Sequence, residues 1–291
     1  MSADSQFAST LSGRVFVVAT PIGNLGDLSP RAREVLSQVS LIAAEDTRHT
    51  RQLLQSFGIS TPLTSLHEHN EAAKSAELLD RVARGESLAL VSDAGTPLIS
   101  DPGFNLVAAA RARNLIVIAI PGPCAAIAAL SVAGLPTDRF VFEGFLPTKA
   151  AARRSHLESL IHEHRSLVFY EAPHRVREVL ADLASVLGGE RTASVSRELT
   201  KRFETTYNGT LQQLADVASR DEDMSRGEIV IVVAGAEKTA SEALALDAEQ
   251  LLRALLDELS PAQAAKVTAR ITGAKRADLY ALALRLSGKQ E

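Results

Sequence analysis

Residues 14–27, Arg-Val-Phe-Val-Val-Ala-Thr-Pro-Ile-Gly-Asn-Leu-Gly-Asp, contain the pattern that decides the fold. The mostly apolar run at its start is typical of a strand that is buried on both faces. A loop rich in glycine and proline follows, and Ser29 and Pro30 are residue types that begin a helix. The stretch therefore predicts a strand, a loop and a helix in succession.

The same succession recurs further along the first half of the chain. Ser87–Val91 precedes a loop and the helix Phe104–Ala112, and Leu115–Ile120 precedes a loop and the helix Ala125–Val132. Strands that alternate with helices in this way form parallel sheets with helices on their faces. The sequence thus predicts the α/β fold class.

The rhythm changes after residue 138, where a second set of strands and helices begins with the strand Phe140–Phe145 and continues with a charged helix from Lys149 to His164. Near the end of the chain, short helices separated by residues 272–276 have the outline of a helix-turn-helix, and the alternative is a small helical cap with a solvated basic face. We therefore expect a flexible N-terminus (1–12), an N-terminal α/β domain (13–123), a C-terminal α/β domain (124–236), a linker (237–248) and a helical tail (249–291).

Composition excludes several classes of protein. The 291 residues are 46% hydrophobic with a net charge of −4, so a nucleic-acid partner needs a local basic surface. A single cysteine rules out an intrachain disulfide and fits a cytoplasmic protein. We expect no signal peptide, and no membrane span either, because Pro121-Gly122-Pro123 interrupts the uncharged residues 115–135.

Three loops of similar composition follow predicted strands, at 21–27, 93–97 and 121–123. Ligands of parallel sheets gather at the carboxyl ends of the strands, where glycine lets the backbone approach them. Neither the Gly-x-Gly-x-x-Gly pattern nor a Gly-Lys-Ser/Thr phosphate loop is present, which argues against dinucleotide binding and nucleotide hydrolysis. The alternative for each loop is an ordinary turn.

Charged residues cluster at other strand ends, after Leu41–Ala44 and within 171–175. Such groups abstract protons or hold phosphates, and the alternative is helix capping and surface ion pairing. The pair His67-x-His69 has the spacing of metal ligands but lacks a third ligand, so we interpret it as a polar loop and expect no metal. Cys124 is interpreted as a packing residue.

Five segments in this order resemble the bacterial 16S ribosomal RNA cytidine 2′-O-methyltransferases of the tetrapyrrole methylase superfamily. They are Val-Val-Ala-Thr-Pro-Ile-Gly-Asn-Leu-Gly-Asp-Leu-Ser (17–29), Ala-Ala-Glu-Asp-Thr-Arg (43–48), Ser-Asp-Ala-Gly-Thr-Pro-Leu-Ile-Ser-Asp-Pro-Gly (92–103), Pro-Gly-Pro-Cys-Ala-Ala (121–126) and Tyr-Glu-Ala-Pro-His-Arg (170–175). The resemblance implies two α/β domains with S-adenosylmethionine in the cleft between them, a small C-terminal helical domain, and a homodimer.

Carried over by position, the resemblance implies a set of cofactor-binding residues in the three loops. They are Pro21, Gly23, Asp93, Gly95, Thr96, Pro97, Pro121, Gly122 and Ala125. The second loop contains Asp-Ala-Gly-Thr-Pro where tetrapyrrole methylases have Gly-Asp-Pro. This departure favours the RNA branch of the superfamily over the corrin and porphyrin methylases.

The implied reaction is methyl transfer to the ribose 2′-OH of a cytidine in 16S ribosomal RNA of the small subunit. A carboxylate would accept the hydroxyl proton and an arginine would hold a neighbouring phosphate. Asp46 with Arg48 is the first choice for these roles, and Glu171 with Arg175 is the second.

The basic residues expected to contact RNA are Lys149, Arg153, Arg154, Arg175, Lys201, Arg202, Lys275 and Arg276. Two rival functions remain open at this point. One is methylation of a tetrapyrrole, which explains the same loops but not the basic tail. The other is an inactive ribosome assembly factor, against which the reactive side chains at the strand ends argue.

Overall fold

The computed structural model describes residues 12–67, 70–237 and 240–287. These residues divide into two compact units, one ending at Gly235 and the other beginning at Ala236. The predicted flexible N-terminus lies outside the described residues except for Ser12, and so does His69 of the predicted histidine pair.

The first sheet is entirely parallel, and its strand order places three loops side by side. Its strands are β1 (Arg14–Val18), β2 (Leu41–Ala44), β3 (Leu63–Ser65), β4 (Leu88–Val91) and β5 (Ile116–Ile120). They lie in the order β3-β2-β4-β1-β5. The loops after β4, β1 and β5 therefore leave the sheet from neighbouring strands.

Helices cover both faces of this sheet. They are α1 (Pro30–Gln38), α2 (Thr47–Ser56), α3 (Glu71–Ala83) and α4 (Phe104–Ala112). The hydroxyl of Ser29 accepts a hydrogen bond from the backbone N–H of Ala32 and caps α1, and Pro30 occupies the first turn, as predicted. Separate buried clusters on the two faces, around Leu36 and Leu79, hold the helices to the strands.

The second sheet is mixed. Its strands β6 (Phe140–Phe145), β7 (Ser166–Glu171), β8 (Thr192–Arg197), β9 (Thr205–Thr210) and β10 (Ile229–Val233) lie in the order β6-β7-β10-β8-β9. Only β6 and β7 are parallel to each other. Its helices are α5 (Ala125–Val132), α6 (Ala150–Glu158), α7 (Val176–Leu187) and α8 (Leu211–Arg220). We call the first sheet with α1–α4 the first lobe, and the second sheet with α5–α8 the second lobe.

Both lobes belong to the unit that ends at Gly235. The uncharged stretch around Pro121 forms β5, a turn and α5, as the sequence predicts. The charged helix predicted from Lys149 to His164 is too long, because α6 ends at Glu158 and Leu160 and Ile161 then pack against the core from a turn.

The second unit is a set of three helices, α9 (Ala240–Leu256), α10 (Pro261–Thr272) and α11 (Arg276–Leu286). Predicting a linker over 237–248 is wrong from Ala240 onward, because these Ala-, Leu- and Glu-rich residues favour helix and continue into α9. Ser260 and Gln263 form a capping box at α10, and Gly273 ends that helix with φ +73°. No helix within the described ranges is long and apolar enough to cross a membrane.

Candidate active site

Backbone and side-chain hydrogen bonds join the three glycine- and proline-rich loops to one another. Thr20 and Gly95 exchange two backbone hydrogen bonds, of 2.9 and 3.0 Å. The hydroxyl of Thr96 donates to the carbonyl of Pro123 at 3.0 Å. The three loops therefore form a single connected surface, as expected for loops that follow the adjacent strands β4, β1 and β5.

Two glycines make this close approach of the loops feasible. A Cβ atom at Gly122 would lie 3.0 Å from the Cβ of Ala19 at the end of the first strand. Gly95 has φ +78°, a conformation that side chains disfavour, and a Cβ there would press on Ile22. Glycine at both positions therefore lets the loops approach each other without displacing Ala19 or Ile22.

The loops form one wall of a cleft with a volume of about 420 Å³. The first lobe contributes Ile22, Glu45, Asp93, Gly95, Thr96 and Asp101 to the lining. The second lobe contributes Ala125, Phe145, Tyr170, Glu171, Glu228 and Val230. The cleft thus lies between the two α/β lobes, with the ends of β2 and β4 on one side and the ends of β6 and β7 on the other.

The lining of the cleft is acidic. Five carboxylates line it: Glu45, Asp93, Asp101, Glu171 and Glu228. No lysine or arginine is among the described lining residues, and the cations nearest to these carboxylates, Arg175 beside Glu171 and Lys201 beside Glu228, lie outside the lining. Burial, together with the negative charges of Asp101 and Asp93, raises the pKa of Glu45 above its usual value. Burial likewise raises the pKa of Asp101. The site therefore favours a positively charged ligand and contains a carboxylate of increased basicity.

Asp46 and Arg48, the first choice for catalysis, do not line the cleft. Asp46 caps α2 by accepting a 2.7 Å hydrogen bond from the backbone N–H of Arg48, and it also binds the Arg48 guanidinium at 2.8 Å. These contacts hold the pKa of Asp46 well below its usual range. The preceding residue, Glu45, lines the cleft instead, and Asp93 accepts the backbone N–H of Asp46 at 3.0 Å.

Glu171, the second choice, is fully buried in the wall of the cleft. Its Oε1 accepts the backbone N–H of Ala172 at 2.7 Å and lies 3.4 Å from Nε of Arg175. Its Oε2 is buried without a hydrogen-bond partner among the described residues. Burial raises the pKa of Glu171, against the opposing effects of Ala172 and Arg175.

Aromatic rings form part of the opposite wall. The hydroxyl of Tyr170 accepts the backbone N–H of Ala126 at 3.1 Å, and burial raises the pKa of this phenol. Phe145 packs edge-on against Tyr170 with 5.7 Å between ring centroids, yet 58% of Phe145 is exposed. An exposed ring at the end of β6 therefore borders the cleft.

The residues expected to bind the cofactor divide into two groups. Asp93, Gly95, Thr96 and Ala125 line the cleft. The others lie in the same loops but outside the lining: Pro21, Gly23, Pro97, Pro121 and Gly122. At Gly23 the space for a Cβ atom is already filled by the side chain of Lys201, so this glycine lets the first loop approach the second lobe.

The expectation that Arg153 contacts RNA needs correction. Its side chain is 1% exposed, and it pairs with Asp182 at 2.7 Å and Glu178 at 3.0 Å. A guanidinium held in this way cannot reach a phosphate without breaking a buried ion pair. Arg153 is a structural residue of the second lobe.

Two further cations are already engaged. Arg175 donates to the carbonyls of Leu146 and Pro147 at 2.9 and 3.1 Å. Lys201 pairs with Glu198 at 2.9 Å and Glu228 at 3.0 Å. The remaining basic candidates are exposed: Lys149, Arg154, Arg202, Lys275 and Arg276. Of these, Arg154 also contacts the carboxylate of Asp182 at 3.4 Å.

Several residues of the cleft were missed by the sequence predictions, among them Glu45, Asp101, Phe145, Tyr170 and Glu228. Glu45 stands beside a predicted residue, and its position at the end of β2 was the available signal. Asp101 and Tyr170 lie within the segments 92–103 and 170–175 that carry the resemblance, whereas Phe145 and Glu228 reach the cleft only through the packing of the two lobes.

Comparison with known proteins identifies the family. The profile of the Tetrapyrrole (Corrin/Porphyrin) Methylases matches residues 14–215, and that of the RsmI C-terminal HTH domain matches residues 242–287. The chain therefore belongs to the tetrapyrrole methylase family. Its predicted fold, two α/β parts with a C-terminal helical region, is confirmed.

Three curated relatives of this chain share the name ribosomal RNA small subunit methyltransferase I. The protein of that name from Pseudomonas aeruginosa is 53% identical over 96% of this chain and 99% of its own length. The protein from Xylella fastidiosa (strain Temecula1) is 57% identical over 92% of this chain and 98% of its own length. The protein from Escherichia coli O157:H7 is 48% identical over 97% of this chain and 99% of its own length. The predicted resemblance is thus confirmed at the level of the family and its named relatives.

Solved structures share the fold of the two lobes. The cobalt precorrin-4 methyltransferase CbiF has a TM-score of 0.57 at 13% identity, covering 76% of this chain and 95% of its own. A uroporphyrin-III C-methyltransferase from Thermus thermophilus, complexed with S-adenosyl homocysteine, has a TM-score of 0.52 at 16% identity. The match covers 76% of this chain and 97% of that one. At these identities the likeness concerns the fold alone.

Proposed function

We propose that this protein transfers a methyl group from S-adenosylmethionine to the ribose 2′-OH of a cytidine in 16S ribosomal RNA of the small subunit. The observation that carries the proposal is the acidic cleft, one wall of which is formed by three loops that hydrogen bonds join to one another. The names of the curated relatives support a ribosomal RNA substrate. The cytidine and the 2′-oxygen rest on the sequence motifs alone.

The lining of the cleft fits the proposed cofactor. S-adenosylmethionine supplies, when bound, an activated methyl group on a positively charged sulfur. The carboxylates of Asp93 and Asp101 suit a cationic ligand, and Gly95 and Ala125 leave the backbone of the loops accessible. We assign Asp93, Gly95, Thr96 and Ala125 to cofactor binding, with Gly23, Pro21, Pro97, Pro121 and Gly122 shaping the loops behind them.

We assign proton acceptance to Glu45 in place of Asp46. A general base works best when its pKa approaches the working pH, and burial beside Asp93 and Asp101 raises that of Glu45. The carboxylate of Asp46 is already committed to Arg48 and to the first turn of α2, which makes it a weak base. Glu45 would therefore receive the 2′-OH proton, while Asp46 positions α2 beside the site.

The RNA backbone would be held outside the acidic cleft. Arg154 and Lys149 are exposed at the start of α6, and Arg202 lies 5.5 Å over the exposed ring of Phe203. Lys275 and Arg276 are exposed at the turn between α10 and α11. These separated cations suit the sequence-independent contacts that basic side chains make with phosphates.

We also propose that the enzyme acts in the cytoplasm as a homodimer. Three large apolar side chains of β5 and α5 are about half exposed, namely Ile116, Ile127 and Val132. A second copy of the chain would remove this surface from water. Light scattering would give twice the mass of one chain, and the mass of a single chain at micromolar concentration contradicts the proposal.

The test supplies labelled S-adenosylmethionine together with one acceptor at a time: small ribosomal subunits, free 16S RNA or a tetrapyrrole. We expect label in the RNA of the subunits or in the free RNA. Label in the tetrapyrrole only, or RNA binding without label, contradicts the proposal and favours one of the two rival functions.

A further inference from the structure

The buried carboxylate of Glu171 has one oxygen that accepts a hydrogen bond and one that does not. Its Oε1 accepts the N–H of Ala172 at 2.7 Å and faces Arg175 at 3.4 Å, while Oε2 has no partner among the described residues. Buried acceptors are almost always satisfied by protein, water or ligand. Because Glu171 lines the cleft, a ligand in the cleft is one donor that this oxygen can take. The assignment of Glu45 as the base leaves Glu171 free for such a role.

The orientation of this carboxylate is fixed from behind. Arg175 is itself held by the carbonyls of Leu146 and Pro147, at 2.9 and 3.1 Å. The backbone N–H of Ala172 comes from the next residue in the chain, so Oε1 keeps its place. Oε2 is therefore a preorganised acceptor with a defined position.

A flat apolar surface borders the same cleft. Phe145 lines it with 58% of its surface exposed, and its ring is braced edge-on by Tyr170, the residue before Glu171. Exposed aromatic rings are the surfaces on which proteins stack nucleobases. An aromatic ring and an orphan acceptor in one wall together match a base that carries an amino group.

We propose that Oε2 of Glu171 accepts a hydrogen bond from the exocyclic amino group of a nucleobase that packs on Phe145. The inference rests on the proposed function, which supplies two bases of this chemistry. They are the target cytosine, through its 4-amino group, and the adenine of the cofactor, through its 6-amino group. The experiment below has a separate arm for each source.

The substitution Glu171→Gln is a sharp probe of the proposal. The amide oxygen of the new side chain would stay with the donors Ala172 and Arg175, which places the NH₂ group where Oε2 was. An acceptor thereby becomes a donor. A ligand with an oxo group should then bind better than the ligand with an amino group.

The cofactor arm uses calorimetry without RNA. It compares S-adenosylhomocysteine with S-inosylhomocysteine, in which an oxo group replaces the amino group. The RNA arm compares methylation of substrates with cytidine or uridine at the target position. In at least one arm, wild type should prefer the amino ligand by roughly tenfold or more, and Glu171→Gln should reverse that preference.

Glu228→Gln is the matched control. Glu228 lines the same cleft, but its Oε2 pairs with Lys201 at 3.0 Å, so its substitution should leave both preferences as in wild type. Equal binding and equal methylation of amino and oxo ligands by wild type overturns the proposal, even if Glu171→Gln does not fold. Unchanged preferences in a folded Glu171→Gln variant overturn it as well.

Failure of the proposed function gives a different result. Absence of RNA methylation by the wild type refutes that function. A preference for the amino ligand in the calorimetric arm would still support the role of Glu171. Methylation of cytidine and uridine alike, with no amino preference for the cofactor, supports RNA methylation and sinks the role of Glu171.

Discussion

Glu45 and Asp46 are neighbours in the chain, and their carboxylates have opposite surroundings. Glu45 is buried near Asp93 and Asp101 on the first-lobe side of the cleft, and burial together with these two negative charges raises its pKa. Asp46 turns to Arg48, the second residue of α2, and this contact lowers its pKa. The sequence predicts that reactive groups follow β2, but the choice between them depends on Asp93 and Asp101, which lie some fifty residues further along the chain.

The pH profile of methylation distinguishes the two residues. Glu45 accepts a proton only when it is ionised, so kcat/KM should fall as the pH drops through its pKa, which lies above the ordinary value of 4.5. We expect Glu45→Gln to lower kcat by roughly a hundredfold or more and to abolish this acid limb.

Asp46→Asn serves as the control for that profile. This variant should retain the acid limb, because the carboxylate of Asp46 in the wild type is ionised throughout that range and so does not cause the limb. If Asp46→Asn removes the limb while Glu45→Gln keeps it, the assignment of the base is reversed.

Arg153 gives a prediction about stability. Removing Arg153 takes the buried partner away from Asp182, which keeps only the longer 3.4 Å contact with the exposed Arg154, and this costs about 3 kcal/mol or more. We expect Arg153→Met to lower the free energy of unfolding by this amount in urea titrations, and the exposed neighbour Arg154→Met to change it by less than about 1 kcal/mol. Equal effects of the two substitutions would contradict the structural role of Arg153.

At the scale of elements, the three loops owe their contact to the order of the strands. The composition of residues 21–27, 93–97 and 121–123 predicts turns after strands, since glycine and proline act locally. The order β4-β1-β5 is set by long-range packing, and only that order brings Thr20 to Gly95 and Thr96 to Pro123. The loops were therefore predictable one by one, and their hydrogen bonds were not.

The hydrogen bond from Thr96 to Pro123 should matter for the cofactor more than for the fold. Thr96→Val keeps the shape and removes the donor, which should lower the free energy of unfolding by about 1 kcal/mol. We expect the affinity for S-adenosylhomocysteine, measured by calorimetry, to fall about fivefold or more because the second and third loops separate. Thr96→Ser retains the hydroxyl and should bind as wild type, so equal affinities of Val and Ser variants would speak against this link.

Two elements differ from their predictions for opposite physical reasons. The helix predicted up to His164 stops at Glu158, because Leu160 and Ile161 gain more from packing on the core of the second lobe than from continuing α6. The stretch predicted as a linker is helical from Ala240, because its residues are strong helix formers. At the end of α6, tertiary packing overrides the local preference for helix. At the start of α9, the local preference for helix is stronger than the sequence prediction assumed.

In the molecule as a whole, acidic and basic side chains occupy different parts of the surface. The net charge of −4 hides an acidic cleft between the lobes and exposed cations elsewhere, such as Arg154 and Arg202 in the second lobe and Arg276 in the second unit. The total could not reveal this separation, because it depends on which side chains face the cleft. The arrangement suits a cationic cofactor inside and an anionic polymer outside.

The unit that begins at Ala236 should contribute to RNA affinity without forming the cofactor site. We expect a chain that ends at Gly235 to bind S-adenosylhomocysteine as the full chain does, since every residue of the cleft precedes that point. Its RNA affinity should be lower and should depend less steeply on salt, because it lacks cations such as Lys275. Filter binding at several salt concentrations measures both, and an unchanged affinity would make the second unit a structural cap.

The position of the transferred methyl group tests the central claim most directly. Small subunits methylated by the protein would be digested to nucleosides and analysed by mass spectrometry. The account predicts 2′-O-methylcytidine, formed by wild type and strongly reduced with Glu45→Gln. Methyl groups on a base carbon or nitrogen, or no methylated nucleoside at all, would contradict it.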